Sequence, residues 1–329
     1  MLGLLTHALA WSGRKENTAL TSEQGMTRLV TDSASVTPLT CGALVYLHIG
    51  KTGGSSVESH LEEVSPAANF SYYKVWWEDE SPKYNYTQDK HWVDFTNEMS
   101  TLAKPKATVS IHHGVPGLAA YMWSSELLPM QQMLEAKGCE LRLTTVVRDG
   151  SKRSVSNLNY AIEFWPEAWT SDSIHSKMPE CDSNAWSSIK DMAPTDDCIC
   201  QFAQQNSNPQ VTYIQYGRLN SDSIWNAAVG GVIDGKNPLG YLASGEPTIN
   251  ANWAARASQF LEKSAYLVGC TETLDSFAAA IDTMLGVPVR KMPEENPSSF
   301  SLNLTTVMTE CLEISNIADN KLYSHFCSP

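Results

Sequence analysis

This 329-residue chain contains no Cys-x-x-Cys pair, so the familiar zinc and dithiol redox spacings are absent although eight cysteines are present. No stretch approaches the roughly 18–20 consecutive apolar residues that a membrane-spanning helix needs. The opening "MLGLLTHALAWSG" is apolar but carries no basic n-region and is short for a signal peptide. Basic residues are scarce, with 23 Lys and Arg against 36 Asp and Glu. The resulting net charge of −13 argues against a general nucleic-acid binder or a protein that coats itself with polyanions. There is no internal repeat, which excludes solenoids and propellers.

What is present is an ordinary globular composition, 42% hydrophobic, in a chain long enough to bury a substantial core. Residues 1–40 are Ser/Thr-rich with little periodicity and read as a loose leader. Apolar runs at 43–49, 106–111, 140–147 and 265–270 read as strands, with a weaker strand at 211–216. Helical patterns follow at 55–64, 124–138 (with Pro129 kinking it or starting it late), 151–164 and 271–286, with others at 253–264 and roughly 305–326. The nine aromatics between Phe70 and Phe95 read as an irregular stretch whose rings pack inside. Residues 165–209 read as a polar, acidic insertion. Strand–helix alternation implies a parallel α/β sheet.

Two turns carry the chemistry. "HIGKTGGSS" (48–56) lies between an apolar strand and a helix. Gly53 and Gly54 let the backbone approach an anion, Lys51 brings charge, and Thr52, Ser55 and Ser56 bring hydroxyls. The Walker A pattern is not met, because the first glycine it needs ahead of the lysine is missing, Val45 standing six residues before Lys51. The second turn, "VVRDGSKRSVSNLNY" (146–160), repeats the strand–turn–helix logic. Arg148 offers a planar fork and Ser156 a hydroxyl to one phosphate if the chain folds back. The plainer alternative pairs Arg148 with Asp149 and leaves Ser156 facing solvent. From Leu141 to Ser156 there are four basic residues against Asp149 alone, which suits a small anionic ligand.

Cys41, Cys139 and Cys270 flank apolar runs and read as buried free thiols. Cys181, Cys198 and Cys200 sit in polar sequence where disulfides are plausible in an oxidising compartment. Sequons at Asn69, Asn85 and Asn303 point the same way.

The two turns together resemble the Golgi carbohydrate sulfotransferases, in particular the group containing the heparan sulfate 2-O- and 6-O-sulfotransferases. In that family the first turn typically reads H-x-P-K-T-G-G-T-[ST] and the second R-D-P-x-x-R-x-x-S. This chain keeps His48, Lys51, Thr52, Gly53, Gly54, Arg148, Asp149, Arg153 and Ser156, with Ser55 for the threonine. Gly50 and Gly150 stand where the family usually has proline. "HHGVPGL" (112–118), "LVGCTETLDSF" (267–277) and "NIADNKLY" (316–323) resemble three further segments in the same order. The likeness runs from about 41 to 326, with poor matching across 65–105 and 165–250.

The resemblance implies a P-loop-like three-layer α/β sandwich with a central parallel sheet, formed by 41–329 as one domain. It implies PAPS (3′-phosphoadenosine 5′-phosphosulfate) as co-substrate, no metal, and sulfuryl transfer to a carbohydrate hydroxyl in the Golgi lumen. Lys51, Thr52, Gly53, Gly54, Ser55 and Ser56 would hold the 5′-phosphosulfate, and Arg148 and Ser156 the 3′-phosphate. Lys51 would act on transition-state charge and His113 as general base, with His112 second; His48 would orient the turn. Nine acids and three lysines in 57–100 weigh against a highly sulfated polymer and favour a neutral or lightly charged sugar. The competing readings are a P-loop kinase and a sulfotransferase-like protein that binds glycan or nucleotide without turnover.

Overall fold

The computed structural model describes residues 28–29, 36–75, 89–112, 118–164, 195–205, 208–214, 247–294 and 302–328. Its centre is an all-parallel sheet built from β1 (Arg28–Leu29), β2 (Gly42–His48), β3 (Ser71–Val75), β4 (Lys106–His112), β5 (Glu140–Val147) and β6 (Ala265–Cys270), in the order β1-β6-β5-β2-β4-β3. Every residue of β2 is buried, as expected of a parallel strand covered on both faces.

The alternation along β2 sorts the core into two layers. Ala43, Val45 and Leu47 join Trp92, Phe95 and Met99 of α2 (Lys90–Thr101), Leu134 of α4 (Leu128–Ala136) and Leu322 of α11 (Ile317–Cys327). Leu44 and Tyr46 face the other way, onto Val57, Leu61 and Val64 of α1 (Gly54–Ala67) and Phe277 and Ile281 of α9 (Leu274–Leu285). This is a three-layer α/β arrangement. A third cluster joins Leu158 of α5 (Gly150–Phe164), Ile199 and Phe202 of α6 (Asp196–Gln205) and Leu312 of α10 (Thr306–Ser315). The remaining helices are α3 (Leu118–Met122), α7 (Pro209–Ile214) and α8 (Pro247–Ser264).

Four strands read from apolar runs are present; the fifth is not. The segment 211–214 belongs to α7 and is buried throughout, with Thr212 N–H bonded to Asn208 O. A short, fully buried β-branched run does not distinguish a strand from a buried helix turn. The aromatic stretch is more regular than expected: Ser71–Val75 pairs with β4, and Trp92 and Phe95 are buried on a helix. Trp76 and Trp77 lie outside the described residues. The helix before β5 begins earlier than 124 and passes through a π-helical turn, Trp123–Leu127, in which Leu128 N–H reaches Trp123 O. The wider turn accommodates Pro129, whose ring would otherwise press on the preceding turn. At the other end of the chain, Val36 and Leu39 are buried and Leu39 N–H bonds to Met284 O, so the end of the presumed leader packs on the domain.

The free-thiol reading is corrected. Cys41 is bonded to Cys139 and Cys270 to Cys327, and Cys200 pairs with Cys311; Cys198 is disulfide-bonded as well. Sheet register explains the first pair: β2 and β5 start side by side with Gly42 opposite Glu140, which brings the preceding residues to a Cα separation of 5.0 Å. Such crosslinks fit a secreted or lumenal protein. Among the described residues no helix is long and apolar enough to cross a membrane.

Candidate functional site

β2 lies between β5 and β4; after β2 the chain adds β3 and β4 on one side of it and then β5 and β6 on the other. That is the topological switch point, where the carboxyl ends of parallel strands open a crevice. The two turns singled out in the sequence follow β2 and β5, which are neighbours, so two segments about a hundred residues apart meet.

In the first turn Lys51 adopts a left-handed φ of 65° and Gly53 one of 87°. Gly53 precedes α1, whose start has no side-chain cap and no acid in its first turn, leaving its positive end for an anion. A Cβ on Gly54 would lie 1.7 Å from the His48 ring, so only glycine lets the helix start against that histidine. Thr52 is fully buried and donates its hydroxyl to Ile49 O at 2.8 Å, which braces the turn. Ser55 is half-buried and Ser56 buried. The Lys51 ammonium lies 3.7 Å from the centre of the Tyr160 ring on α5.

The second turn grips the first. Arg148 Nη1 donates to Lys51 O at 3.2 Å, and Arg153 Nε donates to Gly50 O at 2.9 Å. Asp149 does not serve as the partner of Arg148; its carboxylate accepts Lys152 N–H at the start of α5. Arg153 is buried and its Nη1 has no hydrogen-bond partner. Burial pushes this guanidinium down to about 10, against the opposing pull of Asp319. Burial likewise lowers Arg148, opposed by Glu272 and Asp149. Arg153 and Tyr160 both face the first turn and are seven residues apart, so Ser156 falls on the same α5 face between them.

Three further segments hold these turns. Gln210 on α7 spans the Arg148 peptide, accepting its N–H at 2.9 Å and donating to its carbonyl at 2.7 Å, as a neighbouring strand would. Asp319 on α11 accepts the N–H groups of Gln210 and Val211. Burial raises the Asp319 carboxyl, opposed by those N–H bonds and by Arg153. Asn320 accepts Gly150 N–H at 2.8 Å, and Asn316 accepts the Ser154 hydroxyl at 3.2 Å. Thr271, just after β6, donates to Thr52 O and Val147 O, bridging both turns. Thus "NIADNKLY" and "LVGCTETLDSF" act as supports for the two turns.

Beside the first turn lies a buried carboxylate, Glu58 of α1. Its Oε1 meets His48 Nδ1 at 2.9 Å, Ser110 Oγ at 2.6 Å and His112 Nδ1 at 3.3 Å, and its Oε2 pairs with Lys74 at 2.8 Å. These partners come from β2, β4 and β3 and all point to the α1 side of the sheet. Burial alone would raise Glu58, but the hydrogen bonds from His112, His48 and Lys74 outweigh it and hold the carboxyl well below the usual range. Burial lowers His48 more than Glu58 raises it, so its ring is neutral near pH 7 and donates through Nδ1. The same carboxylate lies 3.3 Å from His112 Nδ1, which orients that ring through a hydrogen on Nδ1. His48 Nε2 is covered by Gly54, so His48 supports the turn.

Lys51, Thr52, Gly53, Gly54, Ser55, Ser56, Arg148 and Ser156 therefore gather at the carboxyl ends of β2 and β5. His112 stands opposite His48 in register at the end of β4. His113 lies outside the described residues. Glu58, Tyr160 and Gln210 are the residues that sequence reasoning missed. Glu58 had one signal, its place with Leu61 and Ser65 on the buried stripe of α1; Gln210 had none. His48, Glu58 and His112 lie within reach of one another, but the carboxylate is engaged by four donors, including the Lys74 ammonium, and the cluster does not read as a metal site. No protein-family model matches this chain, and no curated protein matches it.

Proposed function

We propose that this protein is a sulfotransferase that moves the sulfuryl group of PAPS to a carbohydrate hydroxyl. The observation that carries the reading is the meeting of two cationic, anion-accepting turns at the switch point, joined by Arg148 to Lys51 O and Arg153 to Gly50 O. A nucleotide with phosphates at both ends of its ribose needs two such turns side by side. Lys51 and the uncapped α1 start suit the phosphosulfate, and Arg148 with Ser156 suits the 3′-phosphate.

Sulfuryl transfer is an in-line displacement in which a protein chiefly positions groups and stabilises charge. The acceptor oxygen forms a bond to sulfur as the bond from sulfur to the phosphate oxygen breaks, releasing PAP. Lys51 stabilises charge on that leaving oxygen. A histidine takes the acceptor proton: His113 in the motif register, with His112 as the other candidate. On this reading the protein works in the Golgi lumen, and its disulfides are compatible with that oxidising compartment. The acidic surroundings of the site in sequence favour a neutral or lightly charged acceptor over a highly sulfated polymer.

The test is a thermal-shift comparison of PAP with ATP, followed by radiolabelled sulfate transfer from PAPS to a panel of glycans and small alcohols. A larger shift with PAP and label in a glycan are expected. Stabilisation by ATP but not PAP would favour the kinase reading, and PAP binding without any transfer would favour the binding protein.

A further inference from the structure

We propose that Tyr160 is a positioning residue for Lys51, and that its ring holds the ammonium against α5. The role of Lys51 in this statement rests on the sulfotransferase reading; the contact does not. Lys51 leaves a backbone with φ of 65°, and its Nζ lies 3.7 Å from the Tyr160 ring centre. Cation–π attraction extends to about 6 Å, so this is a close contact.

The chemistry of the partner matters. A carboxylate would hold a lysine by cancelling its charge and would then compete with an incoming phosphate or sulfate. A ring face holds the ammonium through its quadrupole and itself adds no net negative charge. Tyr160 is half-buried on a helix already fastened to the first turn by Arg153, so its ring is a fixed floor. It sits about one helical turn beyond Ser156 on the same face, where side chains four apart are roughly 5–6 Å from one another. The ring therefore ties the charged group of the first turn to the helix of the second.

The experiment uses the full chain and two readouts. Trace acetylation of lysines without any nucleotide, followed by mass spectrometry, reports how strongly the Lys51 amine is held, with Lys137 and Lys152 as internal references. Y160L removes the ring face and Y160F keeps it, with Y160M as a second aliphatic variant if Y160L melts early. A contact worth about 0.5–2 kcal/mol corresponds to roughly 2- to 30-fold. Lys51 labelling should rise by that factor in Y160L and return to the wild-type rate in Y160F. With PAPS, Y160L should lower kcat by a similar factor with a smaller change in KM, and Y160F should recover most of it. Equal Lys51 labelling in Y160L and wild type overturns the proposal, as does Y160F behaving like Y160L. A wild-type protein that transfers no sulfate overturns the functional reading alone, because the labelling pattern is read without a sulfuryl donor.

Discussion

Replacing Glu58 with Gln tests whether one buried carboxylate fastens three strands to α1. Its Oε1 accepts from His48, Ser110 and His112, and its Oε2 pairs with Lys74. Hydrogen bonds to a charged acceptor are worth about 1.5–3 kcal/mol each and neutral ones about 0.5–1.5. Making the acceptor neutral therefore costs roughly 1 kcal/mol for each of three bonds, and the new amide N–H₂ faces Lys74 as donor against donor. Glu58→Gln should lose about 3 kcal/mol, a large share of the ~5–15 kcal/mol typical of a domain. Guanidinium unfolding at pH 7 should show a reduced midpoint with an unchanged slope.

The pH dependence supplies an independent check. Glu58 is held below its unfolded value, so its contribution is complete above roughly pH 4.3 and is lost as pH falls further. His48 is also held low; the unfolded chain therefore takes up a proton below roughly pH 6.5 that the native chain refuses, and stability falls with pH there too. Glu58→Gln should remove the lower limb and keep the upper one. A loss under about 1 kcal/mol, or an unchanged limb below pH 4.3, would refute the hub.

Arg148→Ala and Ser156→Ala should each weaken PAP binding by calorimetry, the arginine more, while scarcely changing affinity for adenosine 5′-phosphosulfate; equal losses for both nucleotides would mean the 3′-phosphate is held elsewhere. His113→Ala should lower kcat by roughly 10²–10⁴ with little effect on PAP affinity, and His112→Ala should retain more activity; the reverse result would make His112 the base, with its Nδ1 already held by Glu58. Gly150→Pro restores the residue usual in the resembled family, yet it should destabilise this protein. It deletes the N–H donated to Asn320, and a Cβ there would lie 2.7 Å from Asp319 Cβ; a melting temperature at or above wild type would contradict that packing.

The parts of the fold legible in sequence were those whose physics is local. β2, β4, β5 and β6 are buried on both faces and read as apolar runs, and the glycine-rich turn announces itself through residue type. Ser71–Val75 was illegible because an edge strand of "SYYKV" has one apolar face and a mixed exterior. The cysteine pairing was misread because burial alone does not separate a thiol from a crosslink; the register of β2 against β5 does. Glu58 and Gln210 act through partners 10–109 residues away, and no local pattern encodes such contacts. Thr271 and Asp319 lie within "LVGCTETLDSF" and "NIADNKLY", but their work in bracing the turns emerges only from geometry.

The Cys41–Cys139 crosslink has a consequence for the integrity of the site. It closes a covalent ring 98 residues in sequence separation that contains the whole first turn, while Arg148 lies just outside it. A protease cut anywhere between 42 and 138 would leave the two pieces as one molecule. Lys51 and Arg148 would then meet as tethered groups, at an effective concentration on the order of millimolar, and would not depend on the dilution of the surrounding fluid. For a protein of the secretory route, where proteases and dilution are both encountered, the crosslink makes the pairing of the two turns independent of an unbroken backbone.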